Sequence, residues 1–350
     1  MAEFIKGMDV STLPELEKLG AKYYDQGKEK DLLGILKDYQ INSIRLRLWK
    51  DPYSEDGKAY GAGTNDFLTT LELAQRSVRL GFGFLLDIHY SDFWADPGKQ
   101  FKPKAWREYN NGQLKQAIYS YTREVLLDLK KFDAFPTMVQ IGNEITNGFL
   151  WPNAKTPNYD ILTDFINAAI RAVRSVDREW FDHYMKRGED FRYIGLSYYP
   201  FWHGSLKELE YNMTDIAERY RKDLIIAEVS MGHTVNDYAE YEQLPPGERK
   251  GMATRKELIE KVPYPMTPEG QSDFMQELME LIARIPDGRG KGFYYWEPAW
   301  LPVKGSGWAS PEGLQYIGDK GPGGNEWANQ ALFDYNGNAL KCLKTIRDFK

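Results

Sequence analysis

Seven short apolar runs recur along this chain, each followed by sequence of helical character. They are "FIKGMDV" (4–10), "SIRLRLW" (43–49), "GFLLDIHY" (83–90), "TMVQIGNE" (137–144), "YIGLSYYP" (193–200), "LIIAEVS" (224–230) and "GFYYWEPAW" (292–300). Strand alternating with helix implies parallel strands joined by crossover helices. With no linker and no internal repeat, the pattern predicts one (β/α)8 TIM barrel over residues 1–350. A doubly wound open sheet is the alternative. It would carry a glycine-rich phosphate loop after its first strand, and "GMDVSTLP" is not one. Helices are expected over 28–40 and 66–81. In the second, Leu68, Leu71, Leu73 and Val78 read as the apolar stripe and Gly81 as the cap.

The rhythm breaks once. Two helical stretches, 159–176 and 178–188, follow each other with only Asp177 between them, so the fifth strand of a barrel is not identifiable. Either the chain lacks it, or Asp177 and Arg178 are not true neighbours. In the first case the flanking strands pair directly or leave unpaired backbone. The opposite irregularity is a long insertion between 230 and 292. Long loops after barrel strands build the functional face.

Strand ends of such a barrel converge on one mouth. Here they carry Asp9, Arg45, Arg47, Trp49, Asp87, His89, Tyr90, Asp92, Trp94, Asn143, Glu144, Tyr198, Tyr199, Trp202, His203, Glu228, Trp296, Glu297 and Trp300. One such residue would be an ordinary polar loop residue; this many are a site. Two carboxylates among aromatics suit glycoside hydrolysis. One protonates the leaving oxygen, and the other attacks the anomeric carbon or activates water. Glu144 and Glu228 end their strands, and Glu297 is the rival carboxylate. A retaining pair would stand about 5–5.5 Å apart. Arg45 and Arg47 either hold one glutamate ionised or form structural ion pairs with Asp9 or Asp87. Asn143 can bond a sugar hydroxyl, and Trp296 can floor the reacting sugar or simply pack the barrel.

Other chemistries fit less well. "GLSYY" around Ser197 lacks the second glycine of a nucleophile elbow. Asp87, His89 and Asp92 could bind a metal, but no second histidine-rich element exists. The chain holds four His and a single Cys342, so internal disulfides are impossible and zinc spacing is absent. A formal charge of −6 with no basic run argues against nucleic acid, and no apolar run suggests a membrane span. Aromatics make up 14% of the chain, a surplus that suits stacking on sugar faces. The stretch "MAEFIKGMDVS" enters a strand at once, so no signal peptide is expected in it.

"IGNE", "AEVS", "DIHYSDFWADP", "SYYPFWHG", "YYWEPAW" and "NQALFD" together resemble the glycoside hydrolase family 53 endo-β-1,4-galactanases, from about Phe4 to Lys350. "IGNE" alone indicates only the large retaining clan; "HYSDFWADP" with "YYWEPAW" is specific. The resemblance implies Glu144 as acid/base and Glu228 as nucleophile. It implies Arg45 and Tyr199 as partners of the nucleophile and Asn143 on the sugar 2-hydroxyl. His89, Asp92, Trp94, Trp202, His203 and Trp296 would line the sugar subsites. The implied substrate is β-1,4-galactan of pectin, cut internally by an extracellular enzyme. No cofactor is expected, and a monomer is. Some bacterial members bind calcium after the seventh strand. The region from Met231 to Pro265 lacks the Asp/Gly-rich run for it, so no calcium site is expected.

Overall fold

The computed structural model describes residues 3–176, 191–236 and 255–350. Seven parallel strands form its centre: β1 (Ile5–Asp9), β2 (Ser43–Leu48), β3 (Gly83–Ile88), β4 (Met138–Ile141), β5 (Tyr193–Tyr198), β6 (Asp223–Val229) and β7 (Gly290–Trp296). Their order across the sheet is β4-β3-β2-β1-β7-β6-β5. The last strand pairs with the first, Asp9 standing opposite Trp296, so the sheet curls around an axis. With helices following the strands, this is the TIM barrel architecture. β4 and β5 are the two edges among the described residues. The expected helix over 178–188 and the Asp177–Arg178 junction lie outside the described residues, as does 237–254 of the long insertion.

All six residues of β2 are buried, because both faces of a barrel strand are covered. Ile44, Leu46 and Leu48 join the main core under the helices. Ser43, Arg45 and Arg47 turn inward, where Ser43 Oγ meets the Tyr294 hydroxyl at 2.8 Å. Leu85, Ile225 and Tyr294 fill the interior beneath the mouth. Gly7 makes room for that layer, since a Cβ there would lie 2.2 Å from the Tyr294 ring.

Two local expectations are corrected. Helix 28–40 is shorter: Lys28–Lys30 pairs with Tyr23–Asp25 as a hairpin, and the helix is Leu32–Asp38. Asp31 starts it by accepting from Gly34 N at 2.9 Å. The helix expected over 66–81 is Phe67–Arg79, with Asp66 as its cap. Its buried face is Thr70, Leu73, Ala74 and Ser77, whereas Leu68 is 70% exposed and Val78 38%. Positions three and four apart share a helix face. Leu68 lies five before Leu73 and Val78 five after it, which turns both away.

β6 carries one irregularity that matters. Ile226 pairs with Leu196 and Glu228 with Ser197, so β6 spends an extra residue. Against β7, Ile226 pairs with Phe293 and Val229 with Tyr295, showing the same excess. This β-bulge shifts the alternation. Ile225 and Glu228, three apart, therefore both reach the barrel interior.

Candidate active site

Arg45 is the hub of the mouth and is fully buried. Its Nη1 donates to Asp9 Oδ2 at 2.6 Å, and its Nη2 to Asp87 Oδ2 at 2.8 Å and Asn143 Oδ1 at 3.0 Å. Nη2 also lies 2.8 Å from Glu228 Oε1. The other oxygen of Glu228 accepts the Tyr199 hydroxyl at 2.9 Å. Glu228 is thus gripped from both sides, one oxygen by a cation and the other by a phenol. The two readings of Arg45 from sequence are both realised: it pairs with Asp9 and Asp87, and it orients a glutamate.

Arg47 does a different job. It pairs with Asp9 at 3.1 Å and Glu297 at 2.5 Å, and its guanidinium lies 4.6 Å from the Trp94 ring centre. Glu297 also accepts from Thr12 and is 1% exposed. Burial pushes its carboxyl up to about 7, with Asp9 adding and Arg47 opposing. It belongs to a network beneath the mouth. Burial also pushes Asp9 up, but Arg47, Arg45 and Ser11 outweigh it and leave Asp9 below its ordinary value.

Glu144 follows β4 in a left-handed conformation, φ 49° and ψ 46°. For a residue with a Cβ this costs on the order of 1–3 kcal/mol and persists only where surroundings enforce it. Gly142, two residues before it, has a positive φ of 73°, and a Cβ there would approach Ile145 to 2.6 Å. Together they turn the chain so that Glu144 and Glu228 line one cleft. Burial pushes the Glu144 carboxyl up to about 8, and the Glu228 charge adds to it, with a smaller contribution from Asp96. A hydrogen bond with Ser197 and the charge of Arg45 pull the other way. Both the burial and the neighbouring Glu228 charge thus favour the protonated form of Glu144.

The cleft has a volume of about 370 Å³ and is lined by Trp94, Ala95, Asp96, Pro97, Lys99, Asn143, Glu144, Tyr199, Trp202, His203, Glu228, Trp296, Trp308, Asp319 and Trp327. Trp94, Trp296 and Trp327 form a tilted aromatic wall, with ring centres 6.2 and 5.6 Å apart along it. Trp202, 49% exposed, stands 6.2 Å from Trp327. His203 Nδ1 accepts from Tyr199 N at 3.0 Å, tying that loop to the cleft floor.

Nine residues singled out from the sequence thus meet in or at this cleft: Arg45, Trp94, Asn143, Glu144, Tyr199, Trp202, His203, Glu228 and Trp296. His89 and Asp92 stand behind its wall, both buried. His89 Nε2 lies 2.9 Å from Asp87, and its Nδ1 accepts from the Trp49 indole at 3.1 Å. Asp92 accepts from Lys104 N at 2.6 Å. Sequence reasoning missed Asp96, Pro97, Lys99, Trp308, Asp319 and Trp327. The Pro-Gly turn signal after Trp94 marks Asp96 and Lys99. Trp308 and Trp327 sit on irregular loops, where only their size hints at a role. Among the described residues, no group of three His, Cys, Asp or Glu is placed to hold a metal ion.

A TIM barrel with two glutamates lining one aromatic cleft is a glycoside hydrolase in fold and site. The chain belongs to glycosyl hydrolase family 53, whose pattern matches residues 5–346. It is 35% identical over 382 residues to an endo-beta-1,4-galactanase of Bacillus subtilis (strain 168), covering 99% of this chain and 86% of that protein. A solved GH53 catalytic domain of Ignisphaera aggregans superimposes with a TM-score of 0.88 at 37% identity, covering 99% of this chain and 96% of that one. A fungal beta-1,4-galactanase structure matches with a TM-score of 0.75 at 25% identity, covering 99% and 100%.

Proposed function

We propose that this chain is a retaining endo-β-1,4-galactanase, with Glu228 as nucleophile and Glu144 as acid/base. The observation that carries the assignment is the contrast between the two carboxyls in one cleft. Glu228 is oriented by Arg45 and Tyr199, as an attacking carboxylate must be. Glu144 is pushed up to about 8 and holds the proton a leaving group needs.

In the first step a Glu228 oxygen attacks the anomeric carbon while the bond to the leaving sugar oxygen breaks. Glu144 gives that oxygen its proton. In the second, Glu144 takes a proton from water, the water oxygen bonds the anomeric carbon, and the Glu228 ester bond breaks. Asn143 is held for the sugar 2-hydroxyl. Arg45 can only donate, so it fixes Oδ1 of the amide, and Nδ2 donates to Ala95 O at 2.9 Å. The second Nδ2 hydrogen remains for the substrate. Trp296, Trp94, Trp202 and His203 offer faces and edges to successive sugars, while His89 and Asp92 support that wall from behind.

The substrate reading rests on the galactanase relatives and on the specific motifs around Trp94 and Trp296. The chain reads as one catalytic domain acting as a monomer on polysaccharide. Reducing-sugar release from β-1,4-galactan, with mannan and glucan alongside, tests it. Release from galactan alone is expected; binding without release would make the barrel a carbohydrate-binding protein instead. For the roles, Glu228→Ala is expected to abolish covalent labelling by a mechanism-based fluoro-galactoside. Glu144→Ala should retain kcat/KM on an activated aryl galactoside, which needs no proton. Reversed behaviour would exchange the two roles.

A further inference from the structure

Gln100 is buried to 1% exposure in the loop after β3 and has no part in the reaction described above. Its side-chain amide nitrogen faces three backbone carbonyls: Asp96 O at 3.1 Å, Asn143 O at 2.8 Å and Glu144 O at 3.4 Å. The orientation is chemically forced, because Oε1 in that position would meet only acceptors. Its own backbone carbonyl accepts from Trp151 N at 2.7 Å. One residue thus bolts two loops together. The first carries Trp94, Asp96 and Lys99 into the cleft; the second begins at the left-handed Glu144.

The carbonyls it holds flank the strained residue. The peptide entering Glu144 carries Asn143 O, and the peptide leaving it carries Glu144 O. The amide has two hydrogens for three carbonyls, so the 2.8 Å bond to Asn143 O is the firm one and Glu144 O at 3.4 Å shares a hydrogen. Holding the peptide that enters Glu144 restricts the direction in which its side chain projects. A left-handed residue with a Cβ has lower-energy conformations within reach, and hydrogen bonds of this kind keep it out of them. We infer that Gln100 is a positioning residue for Glu144, holding the proton donor on the leaving-group side of the cleft. The inference rests on the acid/base reading of Glu144.

Kinetics on two substrates separate this role from a general structural one. Galactan has a poor leaving group and needs the proton; a dinitrophenyl β-galactobioside does not. In Gln100→Met and Gln100→Glu, kcat/KM on galactan is expected to fall about 10- to 100-fold, the scale of a misplaced general acid. On the dinitrophenyl substrate it should stay within about threefold of the parent. Glu144→Ala, measured beside them, should show the same split more strongly. An equal fall on both substrates in the glutamine variants would overturn the inference, as would no fall on either. Gln100→Met buries no new charge, so it answers the question if Gln100→Glu does not fold; failure of both to fold would make Gln100 a structural residue and overturn the inference. No split in Glu144→Ala itself would overturn the acid/base reading first, which distinguishes the two failures.

Discussion

A carboxyl pushed above the usual carboxylate range needs a reason, and for Glu144 that reason is burial first and the charge of Glu228 second. Two outcomes follow from its shift. As the pH rises past about 8 the proton is lost, so kcat/KM on galactan should fall on that alkaline limb. On a substrate with an activated leaving group the limb should vanish, and a pH–rate profile on each measures this. The same shift links to stability. Its ordinary value is 4.5 and its folded value is about 8, so the folded state binds the proton more tightly. That contribution is fully present below 4.5 and is lost as pH rises through about 8. Melting temperatures of the parent and of Glu144→Gln, taken between pH 5 and 8, should diverge, with the parent declining more steeply. Parallel curves would mean that Glu144 is not buried as a protonated acid. Asp9 works in the opposite direction: its carboxyl is lowered, so its contribution is lost as pH falls below the ordinary 3.8.

Elements keep these side chains in place through local rules. The helix Asn111–Lys131 begins at a capping box, where Asn110 Oδ1 accepts from Gln113 N and Gln113 Oε1 accepts from Asn110 N, both at 3.0 Å. Asn110→Ala should cost about 1 kcal/mol of stability. Since it touches nothing in the cleft, kcat/KM on galactan should not change. Denaturant unfolding and steady-state kinetics check both halves. β2 illustrates how much an element can reveal in advance. Its alternation of arginine with leucine, "IRLRL", places charge on the inner face and leucine under the helices, and the structure has it so. β6 illustrates the limit. "LIIAEVS" does not disclose its bulge, and alternation from Ile225 alone would turn Glu228 away from the interior.

At the scale of the whole molecule, the curled sheet gathers carboxylates from β1, β3, β6 and the residue after β7 around Arg45 and Arg47 of β2. The network supplies its own buried cations. The question of calcium reduces to the loop after β6, and residues 237–254 of that loop lie outside the described residues. Its sequence lacks the Asp/Gly-rich run expected of such a site, so activity and melting temperature should withstand a chelator. A loss of either, restored by calcium, would place a metal there.

The sequence by itself determined the seven main strands, the parallel barrel and most of the chemical groups at its mouth. Strand–helix alternation and the polar residues closing apolar runs are local signals, written within a few neighbouring positions. Only the tertiary structure decided which groups meet. Arg45 reaches Glu228, while Arg47, two residues on, reaches Glu297 instead. His89 and Asp92 fall behind the wall they were expected to line, and Trp308 and Trp327 arrive on it from irregular loops. Those outcomes depend on strand register, on one extra residue in β6, and on a left-handed turn before a glutamate. Each is a balance of packing and hydrogen bonding between segments far apart in the chain, which no short window of sequence contains.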